Sequence, residues 1–418
     1  MHELEIRRDN LFNKMKENSV AILFAGKEKI CSEDEFYPFE VNRNFFYLTN
    51  IEQDNSILLL IKGIGVKKTY LFVDQYDEKK EKWTGKRLTS EEAYEIAHIQ
   101  NVYFTDAFEN MLSLALTKVN NQYGNIDTLY LDLSPELKIK DEYSTHNLKD
   151  FIESEYPHIE VKNVYPFLRD LRMVKSRYEI EQMQEAINLT SSGIAQMIYN
   201  LRPGVYEYNL ADDFEFYGRT NGRHKLAFST IVASGKNATC LHYPTQNDTV
   251  KHKELILFDL GYRHNGYCAD ISRTYPVDGV YEGTQKEIYE AVLACNKFII
   301  NYVRSGMTIK DLQEKAKEIL KTECVKRKLM KEDEDIIKYY FHNVSHHLGI
   351  DTHDISDREK PLENGNVITV EPGLYFSDLG IGVRIEDDVL IKDDIGYCLS
   401  SGIAKEISDI EKIFKTKR

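Results

Sequence analysis

Short apolar runs separated by polar turns open the chain. SVAILFA (19–25), ILLLI (57–61) and TYLFV (69–73) each have the length of one buried strand, with Gly- and Asn-containing segments between them. Apolar residues at helical spacing near 90–98 and 107–119 predict helices. Strands interspersed with helices predict an α/β domain up to about residue 165. The pattern changes after Tyr165-Pro166-Phe167-Leu168, where LRMVKSRYEIEQMQEAINLTSSGIAQMI carries a long helical stripe. Two further helices are expected at 284–304 and 308–328, the second preceded by Gly306 and capped by Thr308. Strand signals lie at 226–234, 254–260, 267–275, 366–371 and 382–391. Antiparallel hairpins with packed helices make the C-terminal part α+β. The expected domains are 1–168 and 169–418.

Composition adds exclusions. At 418 residues the chain is long enough for two or three domains, and 42% hydrophobic with 29% charged residues is ordinary for a soluble globular protein. A net charge of -14 argues against nucleic acid or an anionic membrane as partner. The cysteines at 31, 240, 268, 295, 324 and 398 include no CxxC pair, so a zinc ribbon or a disulfide framework is not expected and a reducing cytoplasm is. MHELEIRRDNLF has no apolar segment of signal-peptide type, and no apolar run is long enough to span a bilayer.

Candidate chemistry sits in the C-terminal half. In LILFDLGYRHNGYCADISRTY (255–275), Asn265-Gly266 is the strongest local hairpin signal, because a type I′ turn needs positive φ at both central residues. That turn places Asp270 opposite Gly261. Asp259, two residues before Gly261, then shares a face with Asp270. Two carboxylates aimed at one face of a partly buried hairpin repel unless a cation lies between them. His342, His346, His347 and His353 crowd FHNVSHHLGIDTHD, and imidazole is a common metal ligand and acid–base group. His342 and His346, four apart, would share a helix face. Glu371 ends the apolar run VITV before Pro372. In a strand over GVRIEDDVLI (382–391), Arg384 and Glu386 point the same way. Four carboxylates and a central imidazole suit Mn, Co, Fe or Zn.

These segments, with LHYP (241–244), VEPGLY (370–375) and GVRIED (382–387), resemble the pita-bread metallopeptidases over roughly residues 170–405. That family includes aminopeptidase P, prolidase and methionine aminopeptidase. RRDNLFNKMKENSVAILFAG and FYPFEVNRNFFYLTN look like the N-terminal domain of aminopeptidase P, so the resemblance is closest to the Xaa-Pro aminopeptidases. It implies two divalent metals per chain, most readily Mn with Co or Zn as alternatives. Asp270 and Glu386 would bridge them, Asp259 would bind one, and His346 and Glu371 would complete the other. Glu371 would take a proton from the attacking water, and His353 would contact the scissile carbonyl. His242, His342, His353, Tyr375, Phe228 and Arg384 would line or steady the substrate pocket, and His242 and Arg384 would join His353 and Glu371 as catalytic residues. The implied partners are peptides with proline in second position and further copies of the chain in a homodimer or homotetramer. Prolidase, cleaving only Xaa-Pro dipeptides, is the alternative, and a non-catalytic binding module a remoter one. Asn343 and Phe228 depart from the family pattern, where Gly and Tyr respectively are more usual.

Overall fold

A computed structural model describes residues 2–75, 77–117, 123–134 and 145–417. The chain divides into two compact units, Met1–Leu171 and Arg172–Arg418.

The first unit is built on a six-stranded mixed sheet. Its strands are β1 (Ser19–Phe24), β4 (Ile57–Gly63), β5 (Val66–Val73), β6 (Asn101–Phe104), β7 (Thr128–Leu131) and β8 (Glu160–Asn163). A small hairpin, β2 (Ile30–Ser32) with β3 (Glu35–Phe36), stands apart from it. The spatial order is β6-β5-β4-β1-β7-β8. The strands β1, β4 and β5 pair antiparallel, and β6, β7 and β8 join parallel. The three apolar runs are therefore adjacent central strands. Val20, Ile22, Leu59, Ile61 and Phe72 fill one core with Leu112 and Leu116 of the helix Phe108–Leu116. That helix answers the pattern at 107–119, of which 118 and 119 lie outside the described residues.

The second unit opens with helix Arg177–Asn200. Ser176 caps it, and Glu179 returns the bond to complete a capping box. The expected stripe from Leu171 is thus two helices, since Leu171–Met173 closes the preceding helix Tyr165–Met173. Helices Gly283–Tyr302 and Ile309–Lys326 lie where periodicity put them, and the Thr308 side chain accepts from Asp311 N–H as cap.

Three strands, β9 (Ile231–Ser234), β10 (Leu255–Leu260) and β13 (Ile271–Pro276), form one antiparallel sheet in the order β13-β10-β9. Between β10 and β13 lies the turn ribbon β11 (Arg263–His264) and β12 (Tyr267–Cys268). Asn265 has φ 46° and Gly266 φ 86°, as a type I′ turn requires. Pairs Arg263–Cys268, Leu260–Ile271 and Asp259–Ser272 keep one register from turn to sheet. Gly261 faces the opposite strand so closely that a Cβ there would lie 1.9 Å from the Ala269 carbonyl oxygen. The expected hairpin register holds.

The remaining strands are β14 (Val367–Val370), β15 (Gly373–Phe376), β16 (Ile381–Arg384), β17 (Asp387–Lys392) and β18 (Ile395–Cys398). Two expectations change here. The 382–391 strand is broken: β16 pairs with β15, β17 pairs with β14, and Ile385-Glu386 turns the corner between them. The His342–His346 segment is not helical. It runs extended beside β14, with Thr369 N–H donating to His346 O and Glu371 N–H to Val344 O. Of the expected strand 226–234, only the last four residues are strand.

Candidate metal centre and peptide pocket

A cavity of about 500 Å³ opens in the second unit. Phe228, His242, Asp259, Asp270, His342, His346, His353, Glu371, Arg384 and Glu386 all line it. The hairpin supplies the two aspartates, the segment beside β14 supplies His346, the end of β14 supplies Glu371, and the corner between β16 and β17 supplies Glu386. Glu371 and Glu386 both sit just outside strand ends, where the side chain is free to turn inward.

Asp270, His346 and Glu386 each offer a ligand atom, all within 4.8 Å of one another. His346 Nδ1 lies 3.0 Å from the His347 carbonyl oxygen. A carbonyl only accepts, so Nδ1 carries a proton and Nε2 is the nitrogen turned to the cavity, where it can offer its lone pair to a metal. Nε2 stands 3.4 Å from Asp270 Oδ2 and 3.5 Å from Glu371 Oε1. Ser272 Oγ donates to Glu386 Oε2 at 2.7 Å, and Thr369 Oγ1 to Glu371 Oε1 at 3.4 Å. Asp259 Oδ2 accepts from Arg384 Nη2 at 2.5 Å, whereas its Oδ1 is buried without a hydrogen-bond partner among the described residues.

So many acids in a dry place resist ionising. Burial, then Asp259, Asp388 and Glu371, push the Asp270 carboxyl well above the usual range. Burial, then Asp270 and Glu371, do the same to Glu386. Burial raises Glu371 to about 7, although His346 and Arg384 oppose it. The donor set fits divalent cations: carboxylates that repel one another, one imidazole lone pair, and an orphan oxygen on Asp259.

The other expected residues divide in two. His242, His353 and Phe228 face the cavity. Tyr375, expected against substrate, does not: it is buried behind the wall and joins two residues that do. Arg384 Nη1 donates to Tyr375 Oη at 3.1 Å, and Tyr375 Oη lies 3.0 Å from His342 Nε2. His342 Nδ1 donates to the Asn343 carbonyl at 2.8 Å, so Nε2 is the acceptor. Burial, then Arg384, pushes His342 down to about 3 and keeps its ring neutral. Arg384 spends all three guanidinium nitrogens on Ser272, Tyr375 and Asp259, so it steadies the wall. Asn343 is exposed and contributes its carbonyl.

Sequence reasoning missed the supports. Asp388 is buried and its Oδ2 accepts the Asp270 N–H at 3.2 Å. Arg273 is buried and donates to the Ser272 carbonyl at 3.0 Å and to Asp387 at 2.7 Å. The signal was the doublet Asp387-Asp388 inside an apolar strand, where Asp is disfavoured.

The model of metallopeptidase family M24 matches residues 181–393, and the model of the aminopeptidase P N-terminal domain matches residues 4–123. The chain belongs to family M24. It is similar to the Xaa-Pro aminopeptidase of Haemophilus influenzae, 33% identical over 432 residues that cover 98% of this chain and 96% of that one. A solved chain from Bacillus anthracis, provisionally assigned as an aminopeptidase P, is 38% identical with TM-score 0.95, covering 100% of this chain and 98% of that one. Escherichia coli aminopeptidase P, solved with the inhibitor Pro-Leu, is 27% identical with TM-score 0.89 at the same coverage. The expected fold, an aminopeptidase P-type N-terminal domain with a pita-bread catalytic domain, holds. The family implies divalent metal ions. Among the described residues no helix is long and apolar enough to cross a membrane.

Metal and proton compete for this site. Acids with raised pKa bind more protons folded than unfolded; for Glu371 the stabilisation is complete below about pH 4.5 and is lost as pH rises through about 7. Moving Glu371 from 4.5 to about 7 is worth about 3 kcal/mol. Divalent metal needs the carboxylates ionised. The buried His342 and His347, both pushed down to about 3, are already neutral across the range from pH 5 to pH 8 in the metal-free protein. The rise in Tm on adding Mn to chelator-treated protein is therefore expected to grow from pH 5 to pH 8. A rise of the same size at every pH would separate metal binding from these acids.

Proposed function

We propose that the chain is a metal-dependent Xaa-Pro aminopeptidase, hydrolysing the bond between an N-terminal residue and a following proline. The observation that carries this reading is the convergence of Asp259, Asp270, His346, Glu371 and Glu386 with His242, His342 and His353 in one cavity. Asp270 and Glu386 would hold two divalent ions in common, Asp259 one of them, and His346 with Glu371 the other, with Mn the first choice and Co or Zn next. Such ions supply Lewis acidity and lower the pKa of water.

The chain's own groups do the rest. Glu371 Oε1 lies beside His346 and would take the proton of a water attacking the scissile carbonyl. Burial, then His346 and His242, lower the His353 pKa and favour its neutral ring, whose N–H would donate to the carbonyl oxygen as charge develops there. His242, His342 and Phe228 offer flat, mostly apolar faces suited to a proline ring. Phe228 does this without a hydroxyl. A homodimer or homotetramer in the cytoplasm, acting on peptides with proline second, completes the reading.

A peptide series tests it. Xaa-Pro, Xaa-Pro-Yaa and longer peptides are incubated with chelator-treated protein restored with Mn, Co or Zn. Release of the first residue from tripeptides and longer peptides, restored by metal, is expected. Turnover confined to dipeptides would make the protein a prolidase, and no metal-dependent release would sink the reading.

A further inference from the structure

Three charged residues buried outside the cavity are unused by the mechanism above. Asp354 Oδ1 accepts from Arg172 Nη2 at 2.5 Å, and Oδ2 accepts from Lys175 Nζ at 3.0 Å. Arg172 Nη2 also donates to Asp351 Oδ2 at 2.8 Å. Arg172 is 2% exposed, Lys175 5% and Asp354 6%. Despite burial, Arg172 and Lys175 hold the Asp354 carboxyl below its ordinary range, so the cluster is charged. Apolar residues of similar volume would hold a core as well as a buried ion cluster does. Its location suggests what it is for.

Asp354 directly follows His353. Its N–H donates to the His347 carbonyl at 2.9 Å, the same oxygen that orients His346. Gly349 N–H donates to the Asp351 carbonyl at 3.0 Å, which closes 347–354 into a tight loop. The loop is pressed onto the carboxylate: a Cβ on Gly349 would lie 2.2 Å from Asp354 Oδ2. The cations are themselves anchored, since Lys175 N–H donates to the Gly365 carbonyl at 2.8 Å and Val174 bridges to Asn366. Asp354 is thus fixed through main chain and side chain at once, one residue from an imidazole that faces the cavity.

We infer that the Arg172–Asp354–Lys175 cluster is the positioning device for His353. The inference rests on the function proposed above. None of the three lines the cavity, so they act through His353 and are positioning residues. Loosening the cluster lets the His353 ring wander from the carbonyl it must meet, and turnover falls while substrate binding does not.

A double-mutant cycle tests this. Lys175→Met and Asp354→Asn are made in the parent and in His353→Ala, and assayed with saturating Mn on an Xaa-Pro-Yaa peptide. In the parent, Asp354→Asn is expected to lower kcat about 10–100-fold and Lys175→Met several-fold, with KM within about twofold. In His353→Ala neither lowers kcat by more than about twofold, because the group they position is gone. Equal losses in both backgrounds would overturn positioning and leave a structural cluster, as would no loss from either variant. If Asp354→Asn does not fold, Lys175→Met, which keeps the Arg172–Asp354 pair, carries the same cycle. An unaltered kcat for His353→Ala itself would overturn the role of His353 and the positioning with it, whereas equal losses leave that role standing.

Discussion

Asp270→Ala is expected to fold, lose its metals and lose activity. Asp270 belongs to the only group of three ligand-type side chains whose donor atoms approach within 4.8 Å among the described residues. Its carboxylate faces His346 at 3.4 Å, and its main chain is held independently by Asp388. Removing the side chain therefore strips a ligand and spares the hairpin, whose turn and register lie in other residues. The loss should exceed about 10³-fold in kcat/KM, which is more than about 4 kcal/mol of transition-state stabilisation. Stability should move the other way in metal-free protein. Burial and three neighbouring acids disfavour an ionised Asp270, and alanine removes that penalty. Elemental analysis with calorimetry decides the matter. Two metals per chain retained in the mutant would end the bridging role.

That hairpin was legible because its information is local. Asn265-Gly266 is a two-residue signal, and strand alternation carries the register outward to Asp259 and Asp270 with no help from elsewhere. The central strands of the N-terminal sheet were legible for the same reason: SVAILFA, ILLLI and TYLFV are continuous apolar runs. Where long-range pairing decides, local spacing misled. His342 and His346 have helical spacing, but main-chain bonds to β14 draw the segment out straight. GVRIEDDVLI has strand alternation, but its two halves belong to different strand pairs, and Glu386 reaches the cavity because the chain breaks there. Arg384 was expected to help bind substrate and to steady the pocket, and it lines the cavity. Its partner Asp259 is 125 residues away, a contact that spacing does not carry. The Arg172–Asp354 pair, 182 residues apart, was invisible for the same reason.

His353→Ala separates holding metal from using it. His353 faces the cavity but is not one of the five side chains proposed to hold metal, so the mutant should keep the parent's metal content. Its ring stands edge-on to His346, with centroids 4.3 Å apart. Losing one preorganised donor to a developing oxyanion typically costs about 10²–10³-fold in kcat, roughly 3–4 kcal/mol. KM should change little if the bond strengthens only as charge builds on the oxygen. The lowered pKa sets the sign of the pH behaviour: burial, then His346 and His242, favour the neutral ring, so any loss of kcat from His353 protonation should set in at lower pH than for an ordinary imidazole. His353→Gln, which restores an N–H of similar reach, should recover part of the rate. A His353→Ala enzyme with full metal content and parental kcat would remove His353 from the chemistry. One with reduced metal content would instead make it a ligand, and the boundary between the two sets of histidines would have to be redrawn.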